Sequence, residues 1–351
     1  MVRNYLVHSM NELLNTFKDS NQNLLLLVAE GSDFDHSKLS KMSGDVCGAI
    51  FPQVIYKEKN YSDAIVVVDL SEGALITLTS FADFDKSKID SQADDIILFV
   101  DGLSSGITNF LEELYESTSI QTNIIGAGAG KMTLKQEKVL FTKESIIQDG
   151  ALLLSNSWHI STSAKHGWEK IAGPYIANNV EDTVLHSLDY NDAFEIYKKV
   201  VEKDCGLSFD EGNFFDIAKS YPLGISKVGN ELLVRDPIAK QENSLVLVGD
   251  MDNNSVVYIL KGNKEKLINS AKLATKEALS NKKNLKGIFI IDSISRVLFL
   301  EDDFKKELQV IKESIGNRDI TIFGVLSLGE IANTNLDYID FYNKTCVIGA
   351  L

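Results

Sequence analysis

The stretch IIGAGAGKMT, Ile124 to Thr133, places three glycines in five residues and then a lysine and a threonine. A phosphate-binding P-loop has the spacing G-x-x-x-x-G-K-[ST]. Here Ile125 stands where the first glycine belongs, and Met132 stands where the hydroxyl residue belongs. The dinucleotide pattern G-x-G-x-x-G fails too, because its third glycine falls on Lys131. We therefore expect no phosphate site here and look for another reason for the glycines.

Two other stretches of the chain share the pattern of an apolar pair, or an apolar residue and a cysteine, followed by a glycine. They are VCGAIFPQVI with Gly48 and IFGVLSLGEI with Gly324, which align with Gly126 in the opening stretch. Glycine weakens a strand, so its recurrence indicates a close approach by backbone or ligand. Two interpretations stay open: tight packing inherited with a repeat, and loop ends, including Gly128, that line a common pocket.

A larger repeat surrounds these glycines. The strands NLLLLVAEG, DDIILFVDG and KGIFIIDS each precede a helical segment and then a glycine strand. Three further segments are predicted to be hairpins: DAIVVVDLSEGALITLTSF, GALLLSNSWHISTSA and NSLVLVGDMDNNSVVYILKG. Residues 167–239 look less regular, apart from the helix NDAFEIYKKVVEKDCG. The pattern predicts an α/β fold with mixed sheets, built from repeated strand-helix-strand units plus hairpins, in two pseudo-repeated modules.

Composition narrows the class of protein. The 351 residues exceed one average domain, and the net charge of −15 disfavours nucleic acid and anionic membranes as partners. The longest apolar runs, such as LLLLVA, are too short to span a bilayer. The amino-terminal residues read as an amphipathic helix and carry no signal-peptide pattern. Three scattered cysteines without CxxC spacing favour a reducing compartment, so we expect a cytoplasmic protein.

The motifs of common catalytic sites are missing from the sequence. It contains no G-x-S-x-G elbow and no HExxH pair, and its five histidines lack metal-ligand spacing, so we expect no enzyme. Arginine is scarce, and two arginines stand in apolar or proline-flanked sequence, Arg235 in ELLVRDP and Arg296 in IDSISRVLF. Their guanidinium groups suit a ligand carboxylate, or alternatively an ion pair with an acid such as Asp236. Glu330 suits a ligand amine, or alternatively caps nearby amides.

Several segments follow one another in the order of a known family. They are NIIGAGAG, DGALLL, the junction KHGWEKIAGPYIANNVEDTVLHSLDYNDAFEIYKKVV, and then SYPLGI, LLVRDP, IDSISR and GVLSLGEI. With these segments the chain resembles the FIST-domain proteins, in which an N-terminal and a C-terminal module lie in tandem. We place the modules at residues 1–180 and 181–351. Lys131 departs from the resemblance, which has an acidic residue after the glycines.

The resemblance implies a bacterial sensory protein of signal transduction that binds a small molecule such as an amino acid and signals to a separate protein. For such a ligand the predicted contacts are Arg235, Arg296, Glu330, Gly48, Gly126, Gly128, Gly324, Tyr221 and Trp168. A subset of the family binds haem and reports nitric oxide to a histidine kinase or a diguanylate cyclase. In that alternative His166, in the sequence AKHGWEKI, is the iron ligand; otherwise it is a turn histidine bonded to the backbone. A second alternative is a scaffold that retains only an interaction surface.

Overall fold

The fold is seen in a computed structural model that describes residues 3–70, 73–210, 212–227, 232–280, 282, 284–334 and 338–351. The helices are α1 (Met10–Phe17), α2 (Ile107–Ser117), α3 (Ala193–Cys205), α4 (Phe214–Ala218), α5 (Lys264–Ser280), α6 (Ile294–Leu300) and α7 (Phe304–Ile315), with 3-10 turns at His36–Lys41, Lys86–Lys88 and Glu301–Asp303.

The strands of the first half are β1 (Asn4–Val7), β2 (Leu24–Ala29), β3 (Val46–Phe51), β4 (Gln53–Tyr56), β5 (Lys59–Tyr61), β6 (Ile65–Asp69), β7 (Leu75–Ser80), β8 (Asp95–Asp101), β9 (Asn123–Ala129), β10 (Leu140–Thr142), β11 (Ile146–Ile147), β12 (Gly150–Asn156) and β13 (Ser161–Lys165). Those of the second half are β14 (Glu169–Glu181), β15 (Val184–Leu188), β16 (Asn191–Asp192), β17 (Leu223–Ser226), β18 (Leu232–Gln241), β19 (Ser244–Val248), β20 (Val256–Lys261), β21 (Gly287–Ser293), β22 (Thr321–Ser327), β23 (Glu330–Ala332), β24 (Asp340–Tyr342) and β25 (Cys346–Ala350). This mixed α/β content confirms the predicted fold class.

Three sheets of six strands have the same internal plan. Their orders are β1-β6-β2-β3-β10-β11, β7-β12-β8-β9-β23-β24 and β13-β25-β21-β22-β4-β5. In each sheet the two central strands are parallel, and every other neighbouring pair is antiparallel. The parallel strands β2, β8 and β21 are buried along their whole length, as expected for strands covered on both faces. The repeat seen in the sequence is therefore threefold in the structure.

Each sheet is completed by a two-stranded ribbon from another repeat. The ribbon β4-β5, which follows β3, pairs with β22, and the ribbon β10-β11, which follows β9, pairs with β3. The ribbon β23-β24, which follows β22, pairs with β9, so that the exchange closes a cycle. Two of these ladders, and the ladder between β13 and β25, join strands on opposite sides of residue 180. These ladders connect the two halves of the chain and do not mark a border at residue 180. The module boundary between residues 180 and 181 therefore stays a prediction.

The repeated glycine has one physical cause in all three sheets. Gly48, Gly126 and Gly324 pair in parallel register with Leu26, Leu98 and Ile290. A Cβ atom on each glycine would lie 2.1, 2.1 and 2.0 Å from the carbonyl oxygen of that partner. The three glycine strands also contact one another, so that they form the centre of the molecule. Close backbone packing thus accounts for these glycines.

Substituting alanine for Gly126 tests this close approach. We expect Gly126→Ala to lower the free energy of unfolding by about 1–3 kcal/mol or more, because backbone must move to admit the methyl group. Gly212→Ala is the matched control, since its Cβ would meet nothing closer than 3.9 Å. Urea denaturation of both variants measures the effect, and equal midpoints for the two would refute a steric requirement at Gly126.

A fourth sheet is formed largely by the segment that the sequence shows as irregular. Its order is β14-β20-β17-β18-β19-β15-β16, and β14 also pairs with β15, so that these pairings close a ring. Strand β18 changes partner in its middle: Arg235 pairs with Leu223 of β17, whereas Asp236 pairs with Val248 of β19. Successive side chains of a strand also point to opposite faces of the sheet. For both reasons Arg235 and Asp236 have different surroundings.

The predicted hairpins are wrong as pairings, although their strands exist. Strands β6 and β7 lie in different sheets, as do β12 and β13, and β19 is not a neighbour of β20. Ser71 and Glu72, inside the first predicted hairpin, lie outside the described residues. The main core lies between the sheets, where Phe99 of β8 contacts Phe51 of β3 and Phe289 of β21, with ring centroids 5.5 and 6.5 Å away. Burial in this shared core outweighs local hairpin pairing.

Candidate functional site

A cavity of about 610 Å³ lies between residues 102–108 and residues 236–250. It lies at the carboxyl ends of β8 and β21, beside the first residues of α2 and α6, and is closed by β18 and β19 of the fourth sheet. Ligands of open α/β sheets bind at this end of parallel strands. Its polar lining comprises Ser104, Ser105, Thr108, Asp182, Thr183, Asp236, Asp250, Ser293, Ser295, Ser327 and Asn343.

The mouth of the cavity includes the loop that follows the opening glycine stretch. Met132 and Leu134 line the cavity and are 41% and 52% exposed. The loop is held by three contacts: the amide of Met132 donates to Glu30 Oε2 at 2.9 Å, the Gln136 amide group donates to Asp101 Oδ2 at 2.8 Å, and Lys131 Nζ lies 2.5 Å from Glu137. Lys131 thus forms an ion pair within the loop itself. The stretch serves as a wall of the cavity rather than a phosphate cradle.

Asp236 and Lys344 form a buried ion pair in the cavity wall. Lys344 Nζ lies 3.1 Å from Asp236 Oδ2 and donates to the Lys219 carbonyl at 3.0 Å. Burial raises the pKa of Asp236, and Lys344 lowers it in part; burial lowers the pKa of Lys344. Ser295 and Lys344 both approach the Asp236 carboxylate as donors, but among the described residues neither carboxylate oxygen has a donor in good geometry. Asp236 therefore keeps acceptor capacity toward the cavity.

A second buried charge cluster lies behind this wall around Arg296. Its guanidinium Nε is 3.0 Å from Asp292 Oδ1, and its Nη2 is 2.5 Å from Glu307 Oε2. All three side chains are fully buried. Although burial lowers the pKa of Arg296, the two acids raise it above the usual range. Burial raises the pKa of Glu307; Arg296 lowers it in part, and the like charge of the neighbouring Asp292 raises it further.

The same cluster places three metal-type ligand atoms together. Asp292, Glu307 and Cys346 bring one ligand atom each within 4.8 Å of one another. Arg296 forms ion pairs with both acids, so a guanidinium already supplies the positive charge at this place. The arrangement is that of a structural ion cluster.

Comparison with protein families shows to which family the chain belongs. It matches the FIST N domain over residues 11–191 and the FIST C domain over residues 193–333. The chain belongs to the FIST family. FIST domains are associated with sensory signal transduction, and the tandem order confirms the resemblance seen in the sequence. No curated protein sequence matches the chain significantly. Within the described residues, no helix is both long and apolar enough to cross a bilayer.

The two predicted arginines of this FIST chain are bonded to the protein. Arg235 donates to the carbonyls of Asp250, Val234 and Phe341 at 2.7, 3.2 and 3.0 Å. Arg296 donates, besides its ion pairs, to two backbone carbonyls. Of the described residues that line the cavity, none is an arginine, a lysine or a histidine. Direct binding of a ligand by either arginine stays a prediction.

Glu330, His166 and Trp168 converge with Arg296 behind the cavity. Glu330 accepts from Ser327 Oγ at 2.8 Å and from the Thr345 amide at 3.1 Å, and burial raises its pKa to about 8. His166 accepts from the Trp168 amide through Nδ1 at 3.0 Å, and its carbonyl accepts from Arg296 at 2.7 Å. Trp168 Nε1 donates to the Lys344 carbonyl at 3.0 Å. Four predicted residues are therefore neighbours, although none of them lines the cavity.

The remaining predicted residues lie in the core. Tyr221 is buried and donates to Asp204 Oδ2 at 2.7 Å. Gly128 exchanges backbone hydrogen bonds with Leu328 and Gly329 at 3.0 and 2.7 Å, directly behind the cavity residues Gly102 and Leu328. Gly48, Gly126 and Gly324 lie in the sheet centres described above. Their ligand-binding roles stay predictions.

Haem, which the resemblance suggests for a subset of the family, can be tested against these residues. A haem ligand needs a free imidazole nitrogen that faces an apolar cavity. His166 has its Nδ1 bonded to the backbone and is not in the cavity lining, and burial lowers its pKa to about 4. Because Nδ1 accepts from the Trp168 amide, the proton of the neutral ring lies on Nε2, and neither nitrogen offers a free lone pair. His166 therefore does not fit the role of a haem ligand at this cavity. Its geometry is that of the turn histidine bonded to the backbone.

Sequence reasoning missed the polar groups that do face the cavity. Asp236 follows Arg235 in LLVRDP, Asn343 stands in FYNKTC, and Ser293 stands in IDSISR. Asp236 entered only as a candidate partner of Arg235, and it pairs with Lys344 instead. A signal was available only for Ser293, which ends the buried parallel strand β21 at the edge where ligands bind. Asp236 lies within the antiparallel strand β18, and Asn343 follows the antiparallel strand β24, so the same rule does not find them.

Proposed function

We propose that this FIST protein is a sensory receptor that binds a small organic molecule in the cavity between its modules. The observation that carries the proposal is a cavity of about 610 Å³ that combines apolar walls with buried oxygens of Asp236 and Asn343, which have no well-aligned donor among the described residues. Ligand pockets typically have this size and combine an apolar lining with a few polar groups. Buried polar groups without partners cost free energy, so a ligand that pairs with them gains affinity.

The position of the cavity supports a sensory role. Residues 102–108 come from the first module and residues 236–250 from the second, and Thr108 Oγ1 donates to Asp250 Oδ1 at 2.9 Å between them. A ligand in the cavity touches both sides of this contact. Its binding free energy is thereby coupled to how the two modules associate. We propose binding without chemical conversion of the ligand, with the signal passed to a separate protein such as a histidine kinase or a cyclase.

Blocking the cavity tests this function. Leu298 of α6 lines the cavity, whereas Leu273 of α5 is a solvent-facing leucine that serves as the matched control. A small molecule that binds the native protein should raise its melting temperature, about 3 kcal/mol of stabilisation being expected at one hundred times the dissociation constant. Screening a library of small metabolite-like compounds by thermal shift, we expect hits that Leu298→Trp abolishes and Leu273→Trp preserves.

Two outcomes would count against the receptor. Hits that survive Leu298→Trp would place binding elsewhere, and a screen without hits would favour the scaffold alternative. Mass spectrometry of the recovered ligand tests whether it leaves the protein chemically unchanged. A converted product would indicate an enzyme instead.

A further inference from the structure

The charged groups that line the cavity all have one sign. Asp182, Asp236 and Asp250 are acidic, and the described lining contains no cationic side chain. Arg235 lies beneath Asp250, and its Nε and Nη1 donate to backbone carbonyls. Lys344 pairs with Asp236 from behind the wall, but no cationic side chain of the described lining faces the cavity itself. An anionic ligand would therefore meet Asp182 and Asp250 as like charges, and such juxtaposition is costly in a low-dielectric site.

Among the described residues that line the cavity, the buried polar atoms without well-aligned partners are hydrogen-bond acceptors. Asp236 is 1% exposed and Asn343 is 3% exposed, and in both the unpartnered atoms include carboxylate or amide oxygens. Both residues line the same cavity, and Lys344, which follows Asn343 in the chain, has its Nζ 3.1 Å from Asp236 Oδ2. Acceptors of this kind call for a ligand that donates hydrogen bonds.

An ammonium group meets both conditions. It carries a positive charge and three N–H donors, whereas a hydroxyl group donates only one hydrogen bond. Charge-assisted hydrogen bonds to a carboxylate are also about twice as strong as neutral ones. Apolar side chains such as Leu298, Leu328 and Phe341 line the same cavity and can cover a ligand's hydrocarbon body.

Granted the binding function proposed above, we propose that the ligand is a small protonated primary amine without a carboxylate. Its ammonium group donates to Asp236 and Asn343, and its hydrocarbon body packs against Leu298, Leu328 and Phe341. Lys344 is a positioning residue that holds the Asp236 carboxylate from behind. An amino acid is disfavoured, because its carboxylate finds no cationic side chain in the described lining and both buried arginines are already bonded.

Four probes with the same phenyl and alkyl body separate the functional groups. They are 2-phenylethylamine, 2-phenylethanol, 3-phenylpropionate and phenylalanine, titrated calorimetrically into the full chain at neutral pH. We expect the amine to bind at least about tenfold more tightly than each of the other three. Equal or tighter binding of phenylalanine, the acid or the alcohol would overturn the proposed ligand class.

Variants of the acceptor wall locate the ammonium group. Asp236→Asn should weaken amine binding about tenfold or more, whereas the exposed control Asp302→Asn should leave it unchanged. Asn343→Leu leaves the ion pair of Asp236 and Lys344 intact and should weaken the amine severalfold, so it decides the matter if Asp236→Asn does not fold. Unchanged affinity in the folded variants would overturn the proposed contact. Binding of an unrelated ligand that Leu298→Trp blocks, without amine binding, would overturn the amine and leave the receptor function standing.

Discussion

Replacing Arg296 with methionine should lower the free energy of unfolding by about 3–5 kcal/mol, the usual effect of removing one partner of a buried ion pair. The substitution leaves Asp292 and Glu307 fully buried without the cation that they share. It also removes the donor to the carbonyls of His166 and Leu267, which tie the junction turn and α5 to α6. The shift of the urea midpoint measures this cost.

Arg318→Met is the matched control, because Arg318 is exposed and its replacement should change stability by less than about 0.5 kcal/mol. The double variant Arg296→Met, Glu307→Leu separates charge from packing. It removes one of the two acids that Arg296→Met leaves without a cation, so it should be more stable than Arg296→Met alone. The effects of substitutions at residues in contact do not simply add. A double variant that is less stable by the sum of the single effects would mean that the cluster contributes packing rather than ion pairing.

The sequence predicted that Arg296 is unusual but not which residues it contacts. Its scarcity and its apolar neighbours marked it as unusual, and the structure places it at the centre of a buried cluster. The types of its partners could not be read, because Glu307 stands in a helix sequence, DDFKKELQV, that looks like an exposed charged face. Which face of α7 meets α6 depends on tertiary packing rather than on local spacing.

The strands themselves could be predicted, but not their partners. Hydrophobic runs and turn residues mark β2, β8 and β21, and the glycines mark β3, β9 and β22. The cyclic exchange of ribbons between sheets joins segments as distant as Val54 and Val325. Such pairing depends on burial across the whole chain, so local patterns favoured hairpins instead.

The cavity wall illustrates the same limit at the level of single side chains. Arg235 and Asp236 are adjacent, and a shift of one residue in strand register exchanges which of them faces the cavity. The partner change of β18 between β17 and β19 fixes that register, and it is a tertiary feature. Lys344 reads as a surface lysine in FYNKTC, although it is fully buried.

Replacing Glu330 with glutamine should change how stability depends on pH more than it changes stability itself. Burial raises the pKa of Glu330 to about 8 in the folded protein, against 4.5 for the free side chain. Below pH 4.5 the carboxyl group is protonated in both states; as pH rises toward 8 the unfolded chain releases its proton first. Glu330 therefore makes the protein progressively less stable across this window, by an upper limit of about 5 kcal/mol at roughly 1.4 kcal/mol per pKa unit.

Glu330→Gln removes this titration while keeping the size of the side chain and an oxygen that accepts from Ser327 or Thr345. Near pH 4 the variant should differ little from the natural chain, because Glu330 is then largely protonated in both the folded and the unfolded state. Near pH 8.5 it should be the more stable of the two, since only the natural chain carries a buried charge at this position. Other groups, among them His166 with a pKa lowered to about 4, titrate equally in both proteins, so the difference between the two curves isolates Glu330. Urea denaturation at several pH values, with the exposed Glu112→Gln as control, measures it; parallel curves for Glu330→Gln and the natural chain would mean that Glu330 is ionised in the fold.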